Sequence, residues 1–207
     1  MLRVGLTGGV ACGKTTVATM FEKRGAHVAL ADVIAHNLFE PGGEVYEKVV
    51  EHFGPEVLNE DGTISRPRLA NVAFPERIQE LNAIVHPVVI RLQDDWMREI
   101  EQRESRAIAI VEAALMIEAG AHKRFDKLIV VTCGCEQKVD RFAERARMSL
   151  DEARADVQRR MQAQLPEDEK VRLADYVIDN SGSVSQLEER VERIWRELCA
   201  IEAAKKP

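Results

Sequence analysis

The spacing of apolar residues changes several times along the chain, and each change predicts an element. Residues 2–7 and 27–31 are short apolar runs, "AIAIV" (107–111) and "KLIVVT" (127–132) are richer in Val and Ile, and "YVIDN" (176–180) is a further candidate of the same kind. Such runs suit strands buried on both faces of a parallel sheet. Between the first two, residues 14–24 carry Val17, Met20 and Phe21 at helical spacing. Strands that alternate with helices imply βαβ crossovers, and therefore an α/β fold with helices covering the sheet.

Two stretches break this rhythm. Residues 32–103 contain no convincing strand; "GGEVYEKVVEHFG", "RPRLANVAF" and "PERIQELNAIVHPVVIRLQDDWMREIEQRE" read as helices punctuated by Gly and Pro, an inserted helical subdomain. Residues 136–165 read as a highly charged helical pair, with Ser149 and Glu152 spaced as a capping box at the start of its second helix. The last helix carries the same spacing at Ser185 and Glu188. Its Leu187, Val191, Ile194, Trp195 and Leu198 form one apolar stripe, expected to be core.

Composition narrows the function classes. The 207 residues are 45% hydrophobic and 31% charged, ordinary for a globular chain, and no run is long enough to span a bilayer. The start lacks the apolar core and cleavage site of a signal peptide, so a soluble, cytoplasmic protein is expected. A net charge of −6 argues against bulk nucleic-acid binding. The basic segment Lys138, Arg141, Arg145, Arg147, Arg154, Arg159 and Arg160 stands out in this acidic chain, and as a bare charge run it reads as a solvated helix face. Cys12, Cys133, Cys135 and Cys199 show neither C-x-x-C pairing nor zinc-ligand spacing, and read as reduced thiols.

Chemistry enters at "GLTGGVACGKTT", residues 5–16. Gly8, Gly13, Lys14 and Thr15 fit the phosphate-loop pattern G-x-x-x-x-G-K-[ST], preceded by a predicted strand and followed by a predicted helix as the motif requires. Glycines let the backbone wrap an anion, loop N–H groups point at it, and the helix N-terminus adds partial positive charge. Lys14 is expected to reach the β and γ phosphates and the Thr15 hydroxyl to ligate Mg²⁺. Cys12 occupies a free x position and is expected to act through its backbone alone. The guanine-reading N-K-x-D segment and the L-S-G-G-Q signature are both absent. Asp32 falls at the carboxyl end of the second strand, which is expected to lie next to the strand carrying the loop. There it can accept a proton from an attacking hydroxyl or cap the following helix.

"GLTGGVACGKTT", "ADVIAH", "VHP" (85–87), "EAALMIE" (112–118), "QKVDRFAER" (137–145) and "ADYVIDNSGS" (174–183), in this order over nearly the whole chain, resemble the dephospho-coenzyme A kinase family. The resemblance implies a P-loop NTPase fold with a parallel five-stranded sheet. It implies a nucleotide-binding core (1–31, 104–135, 166–207), a helical acceptor-binding domain (32–103) and a lid (136–165). By the same resemblance Gly8, Gly9, Val10, Ala11, Cys12, Gly13, Lys14, Thr15 and Thr16 bind the ATP phosphates, and Asn180 and Gly182 form the adenine-side turn. Asp32 aligns with the catalytic base, and Glu118 with an acidic residue facing the acceptor or the metal shell. Arg141 and Arg145 align with lid arginines, and Glu112 with a Walker B acid that holds Mg²⁺ through water. His86 lies in a His-Pro pair placed beside the acceptor; it reads equally as a residue at a helix start.

The implied partners are ATP, Mg²⁺ and dephospho-CoA, with no nucleic acid or membrane, in a monomer or weak homo-oligomer. Three departures accompany the match. Leu30-Ala31-Asp32 keeps one acid where the family has two, Ala114–Glu118 lacks the usual Pro, and a further helical turn is expected near "QRRMQAQ". Another small-molecule or nucleoside monophosphate kinase, or an ATP-binding switch, is the rival reading.

Overall fold

In the computed structural model, residues 1–73 and 76–205 are described; the expected junction between two helices at Phe74 and Pro75, and the last two residues of the chain, lie outside them. Strands β1 (Leu2–Gly8), β2 (His27–Leu30), β3 (Ile108–Glu112), β4 (Lys127–Thr132) and β5 (Tyr176–Asp179) form one sheet in the order β2-β3-β1-β4-β5. Pairing is parallel where β1 meets β3 and β4, and where β4 meets β5. Every side chain of β3 is buried, as are all but one in β1, which explains why these segments show continuous apolar runs and no alternation. Each fully buried Val, Ile or Leu there contributes roughly 1.5–3 kcal/mol.

One expectation about the sheet is corrected. β2 does not neighbour β1; β3 lies between them. Chain order suggests adjacency, but β1 has only two sides, and its partners are the two most apolar strands.

Helices α1 (Lys14–Glu22) and α9 (Val184–Ala204) pack on the sheet and each other. Leu187, Val191, Ile194 and Leu198 of α9 are buried, Trp195 meets Phe21 with ring centroids 6.4 Å apart, and Arg24 pairs with Glu192 at 2.9 Å. The α9 cap corrects another expectation. It is Ser183, whose hydroxyl accepts from the Gln186 N–H while Gln186 returns to the Ser183 N–H, so the capping box sits ahead of the Ser185 and Glu188 pair. The box expected at Ser149 and Glu152 is present at the start of α7 (Leu150–Gln162).

The chain divides into two compact units, one of residues 1–29 with 99–207 and one of residues 30–98. The first holds the sheet, α1, α6 (Cys135–Ala146), α7, α8 (Glu167–Leu173) and α9. Val139, Phe142 and Ala143 of α6 and Ala153 and Val157 of α7 form a buried cluster that also takes in Val10. The second holds α2 (Ala31–Asn37), α3 (Glu44–Phe53), α4 (Arg66–Ala73) and most of α5 (Ile78–Arg103). Val45, Val49 and Phe53 of α3, Leu69 of α4 and Val85 and Val88 of α5 make its core. Pro87 does not punctuate this region, because α5 runs through it. Among the described residues no helix is long and apolar enough to cross a membrane.

Candidate active site

The turn between β1 and α1 is built from residues that few alternatives could replace. At Gly8, φ is +152° and a Cβ would collide with the Val131 carbonyl oxygen of the neighbouring strand. At Gly13, the left-handed N-cap of α1 (φ 84°, ψ 29°), a Cβ would collide with Asn180 Nδ2. Ala11 adopts φ 53° without being glycine, a strained conformation that a surrounding structure must hold in place. Lys14 Nζ donates to the Gly9 carbonyl at 2.9 Å, folding the side chain back over the loop.

Behind the loop, Thr15 Oγ1 donates to Glu112 Oε2 at 3.0 Å. Glu112 ends β3 and is buried, and the parallel register sets it beside Leu6, just ahead of the loop. A hydroxyl and a carboxylate so close together, both hard oxygen donors at a phosphate loop, fit Mg²⁺, which takes few protein ligands and keeps water and phosphate oxygens. Sequence spacing alone could not bring together two residues so far apart in the chain; the β1–β3 pairing does.

Asn180 and Arg141 meet on the other flank. Buried Asn180 donates from Nδ2 to the Cys12 carbonyl at 2.9 Å, and Arg141 donates from Nη2 to the Asn180 carbonyl at 2.9 Å. Arg141 Nη1 is buried without a hydrogen-bond partner among the described residues. An orphaned guanidinium nitrogen in this position matches an anionic ligand. Gly182 clears space for Gln186, whose Oε1 would collide with a Cβ there, and so permits the α9 cap. Arg145 is exposed and stacks over Phe142 at 5.4 Å from the ring centroid, with Arg160 over the same ring at 5.1 Å.

Sequence reasoning missed a group packed against the outside of the loop. Lys138 is buried and pairs with Glu167 Oε2 at 2.6 Å, and a Cβ at Gly9 would lie 3.0 Å from that same oxygen and 3.5 Å from Lys138 Nζ. Burial opposes the Lys138 charge, but the Glu167 contact prevails and holds its pKa above the usual lysine value. Cys12 Sγ donates to Glu167 Oε2 and Cys133 Sγ to the Ala11 carbonyl, each at 4.0 Å, and the nearness of the two thiols pushes the Cys12 pKa up and draws Cys133 down to about 7, helped by Arg141 and Lys138. Cys12 therefore supports the loop through its thiol as well as its carbonyl. Buried cations show no apolar period, so only their identity in the basic segment could have flagged them.

The remaining expected residues stand as follows. Glu118 binds Lys170, itself buried, at 2.8 Å and accepts from the Leu165 N–H at 3.0 Å, so its carboxylate ties the segment before α8 in place. Asp32 and His86 belong to the second unit. Asp32 is exposed in the first turn of α2, whose N-cap is Leu30 with no side-chain cap bond, so Asp32 is not the cap. His86 is half-buried inside α5 and not at a helix start, and burial lowers its pKa.

The family model for dephospho-CoA kinase matches residues 2–186. The dephospho-CoA kinase of Aquifex aeolicus is 40% identical over 200 residues, spanning 96% of this chain and 98% of that protein. Among solved structures, TT1252 from Thermus thermophilus superposes with TM-score 0.77 at 32% identity, covering 95% of this chain and 97% of its own. The dephospho-CoA kinase from Campylobacter jejuni shares the fold with TM-score 0.68 at 24% identity, covering 96% and 97%.

Proposed function

Because the chain belongs to the dephospho-CoA kinase family, whose members catalyse the last step of coenzyme A synthesis, we propose that its phosphate loop presents ATP to the ribose 3′-hydroxyl of dephospho-CoA, with Asp32 as the base. The observation that carries the reading is the Thr15–Glu112 pair behind a glycine loop whose conformation leaves no room for other residues. Loop N–H groups and Lys14 hold the donor phosphates, and Lys14 leaves the Gly9 carbonyl to do so. The Thr15 hydroxyl and, through water, Glu112 would hold Mg²⁺, which when bound neutralises charge shared by the β and γ phosphates.

Asp32 orients the acceptor hydroxyl and takes its proton. It follows the carboxyl end of β2, the end of an open parallel sheet at which ligands bind. Residues 32–103 serve the acceptor, with His86 among its contacts. Residues 136–165 act as the lid, closing Arg141 and Arg145 on the transferred group and excluding water. Arg141, with its unsatisfied nitrogen, has the stronger support. Asn180 and Gly182 face the adenine. A cytoplasmic site of action follows from the substrates.

The test is to supply Mg²⁺-ATP with dephospho-CoA, with a nucleoside monophosphate, or with no acceptor, and to follow ADP. ADP release that depends on dephospho-CoA is expected; equal release in all three arms removes the reading.

A further inference from the structure

The thiols of Cys12 and Cys133 have no task in the phosphoryl transfer, yet the sheet brings them together. β1 and β4 are parallel neighbours with Gly8 opposite Val131, so the loop after Gly8 and the turn after Thr132 leave the same edge side by side. Cys133 Sγ lies 4.0 Å from the carbonyl of Ala11, the residue bonded to Cys12. Cys12 Sγ lies 4.0 Å from Glu167 Oε2 and would sit 3.0 Å from a Cβ at Gly9, so it packs against the loop's own backbone. Both cysteines are free.

Their surroundings make them unequal. Cys12 is fully buried; the Cys133 sulfur first, then burial and Glu167, push its pKa up against Lys138, and it keeps its proton. Cys133 retains 6% exposure, and the Cys12 thiol, with Arg141 and Lys138 of α6, draws its pKa down to about 7 against burial and Glu167 of α8. One sulfur is therefore partly thiolate at neutral pH and open to a small oxidant, and its neighbour is a protonated thiol. A buried structural cysteine is inert, whereas a thiol lowered by nearby cations is reactive.

The loop has no slack to absorb a bond between the two. Ala11 already holds φ 53°, Gly13 is left-handed, and Asn180 Nδ2 holds the Cys12 carbonyl at 2.9 Å. A disulfide fixes its sulfurs about 2.0 Å apart, closer than any non-bonded contact, so Cys12 would be drawn toward the end of β4 and the loop N–H groups would turn with it.

We propose that Cys12 and Cys133 are a redox-reactive pair, oxidised by a peroxide to a disulfide that disables the phosphate loop and reduced by a dithiol that restores it. With hydrogen peroxide, the Cys133 thiolate attacks one oxygen, the O–O bond breaks, and a sulfenic acid forms as hydroxide leaves. Cys12 Sγ then attacks the oxidised sulfur; the S–S bond forms, the S–O bond breaks, and the Cys12 proton departs with that oxygen as water. The two sulfurs lose two electrons and the peroxide gains them. A dithiol returns them by thiol–disulfide exchange. The effect on the loop rests on its reading as the ATP site; the disulfide does not.

The test exposes the reductant-free protein to hydrogen peroxide, blocks the remaining thiols, maps disulfides by peptide mass spectrometry and measures Mg²⁺-ATP binding by calorimetry without acceptor. Each variant is compared with its own reduced form. The parent is expected to yield a Cys12–Cys133 cross-link and to bind Mg²⁺-ATP about tenfold or more weakly, and dithiothreitol to reverse both. Cys133→Ser, which keeps the shape and a donor to the Ala11 carbonyl, is expected to bind equally before and after peroxide, as is Cys133→Ala. Cys135→Ser is expected to lose binding as the parent does. No cross-link, a link from Cys133 to Cys135 instead, unchanged binding by the cross-linked parent, or a loss that persists in Cys133→Ser overturns the proposal. If the cross-link forms but the reduced parent binds no Mg²⁺-ATP, the reading of the loop falls and the thiol pair stands.

Discussion

Asp32 and Thr15 make separable demands on turnover. On the proposed reading of Asp32 as the base, replacing it by Asn keeps the shape and removes the proton acceptor, so steady-state assays are expected to show turnover reduced by at least about a hundredfold with little change in the ATP KM. Thr15→Ala removes the hydroxyl that meets Glu112. A Mg²⁺ titration of activity is expected to shift to higher concentration in that variant, with the deficit narrowing as Mg²⁺ rises. Most of the phosphate loop was legible because its glycines are dictated by local backbone geometry, which spacing encodes directly. Lys138, Glu167 and the Cys12–Glu167 contact were not, because they join α6, α8 and the phosphate loop at one point that only the folded sheet defines. The motif could not foretell that Glu118 also bonds Lys170 and the Leu165 N–H, since both lie about fifty residues away in the chain.

Helix boundaries turn on single contacts. Two Ser-x-x-acid/amide spacings overlap at the start of α9, and Gly182 decides between them, since a side chain there would displace Gln186 from the Ser183 cap. Ser183→Ala is therefore expected to lower stability by about 1 kcal/mol in chemical denaturation, and Ser185→Ala to change it by less than about 0.5 kcal/mol. Between α3 and α5, Glu44 bonds Arg91 and Lys48, and those contacts, Arg91 first, hold its carboxyl down to about 2. A carboxyl depressed in the folded state stabilises above its unfolded value, here 4.5, and that contribution fades as pH falls toward 2. Melting temperatures of Glu44→Gln and the parent are thus expected to differ near neutral pH and to converge in acid, by a modest margin because the site is exposed. The helix read in "PERIQELNAIVHPVVIRLQDDWMREIEQRE" is present as α5; what the sequence concealed is its continuity past His86, because a proline signals a break locally, whereas the apolar face at Val85 and Val88 keeps the helix continuous.

Across the molecule, nucleotide binding is coupled to the stability of the sheet unit. Mg²⁺-ATP at about a hundred times its Kd is expected to stabilise the protein by roughly 2.7 kcal/mol, seen as a higher melting temperature, and Lys14→Ala is expected to lose most of that shift. The α/β class and the helical stretch after β2 could be read from hydrophobic periodicity, but strand order could not, since equally buried strands carry no label for their neighbours. That order constrains how the chain is made. β1, with the phosphate loop at its end, is flanked by β3 and β4, whose last residues are Glu112 and Thr132. While the ribosome works from the loop to Thr132, roughly 6–25 s at ordinary elongation rates, β1 has at most its β3 partner and the loop lacks its β4 flank. Chaperone demand should accordingly peak before β4 leaves the exit tunnel, and a nascent chain stalled there has no means of capturing ATP.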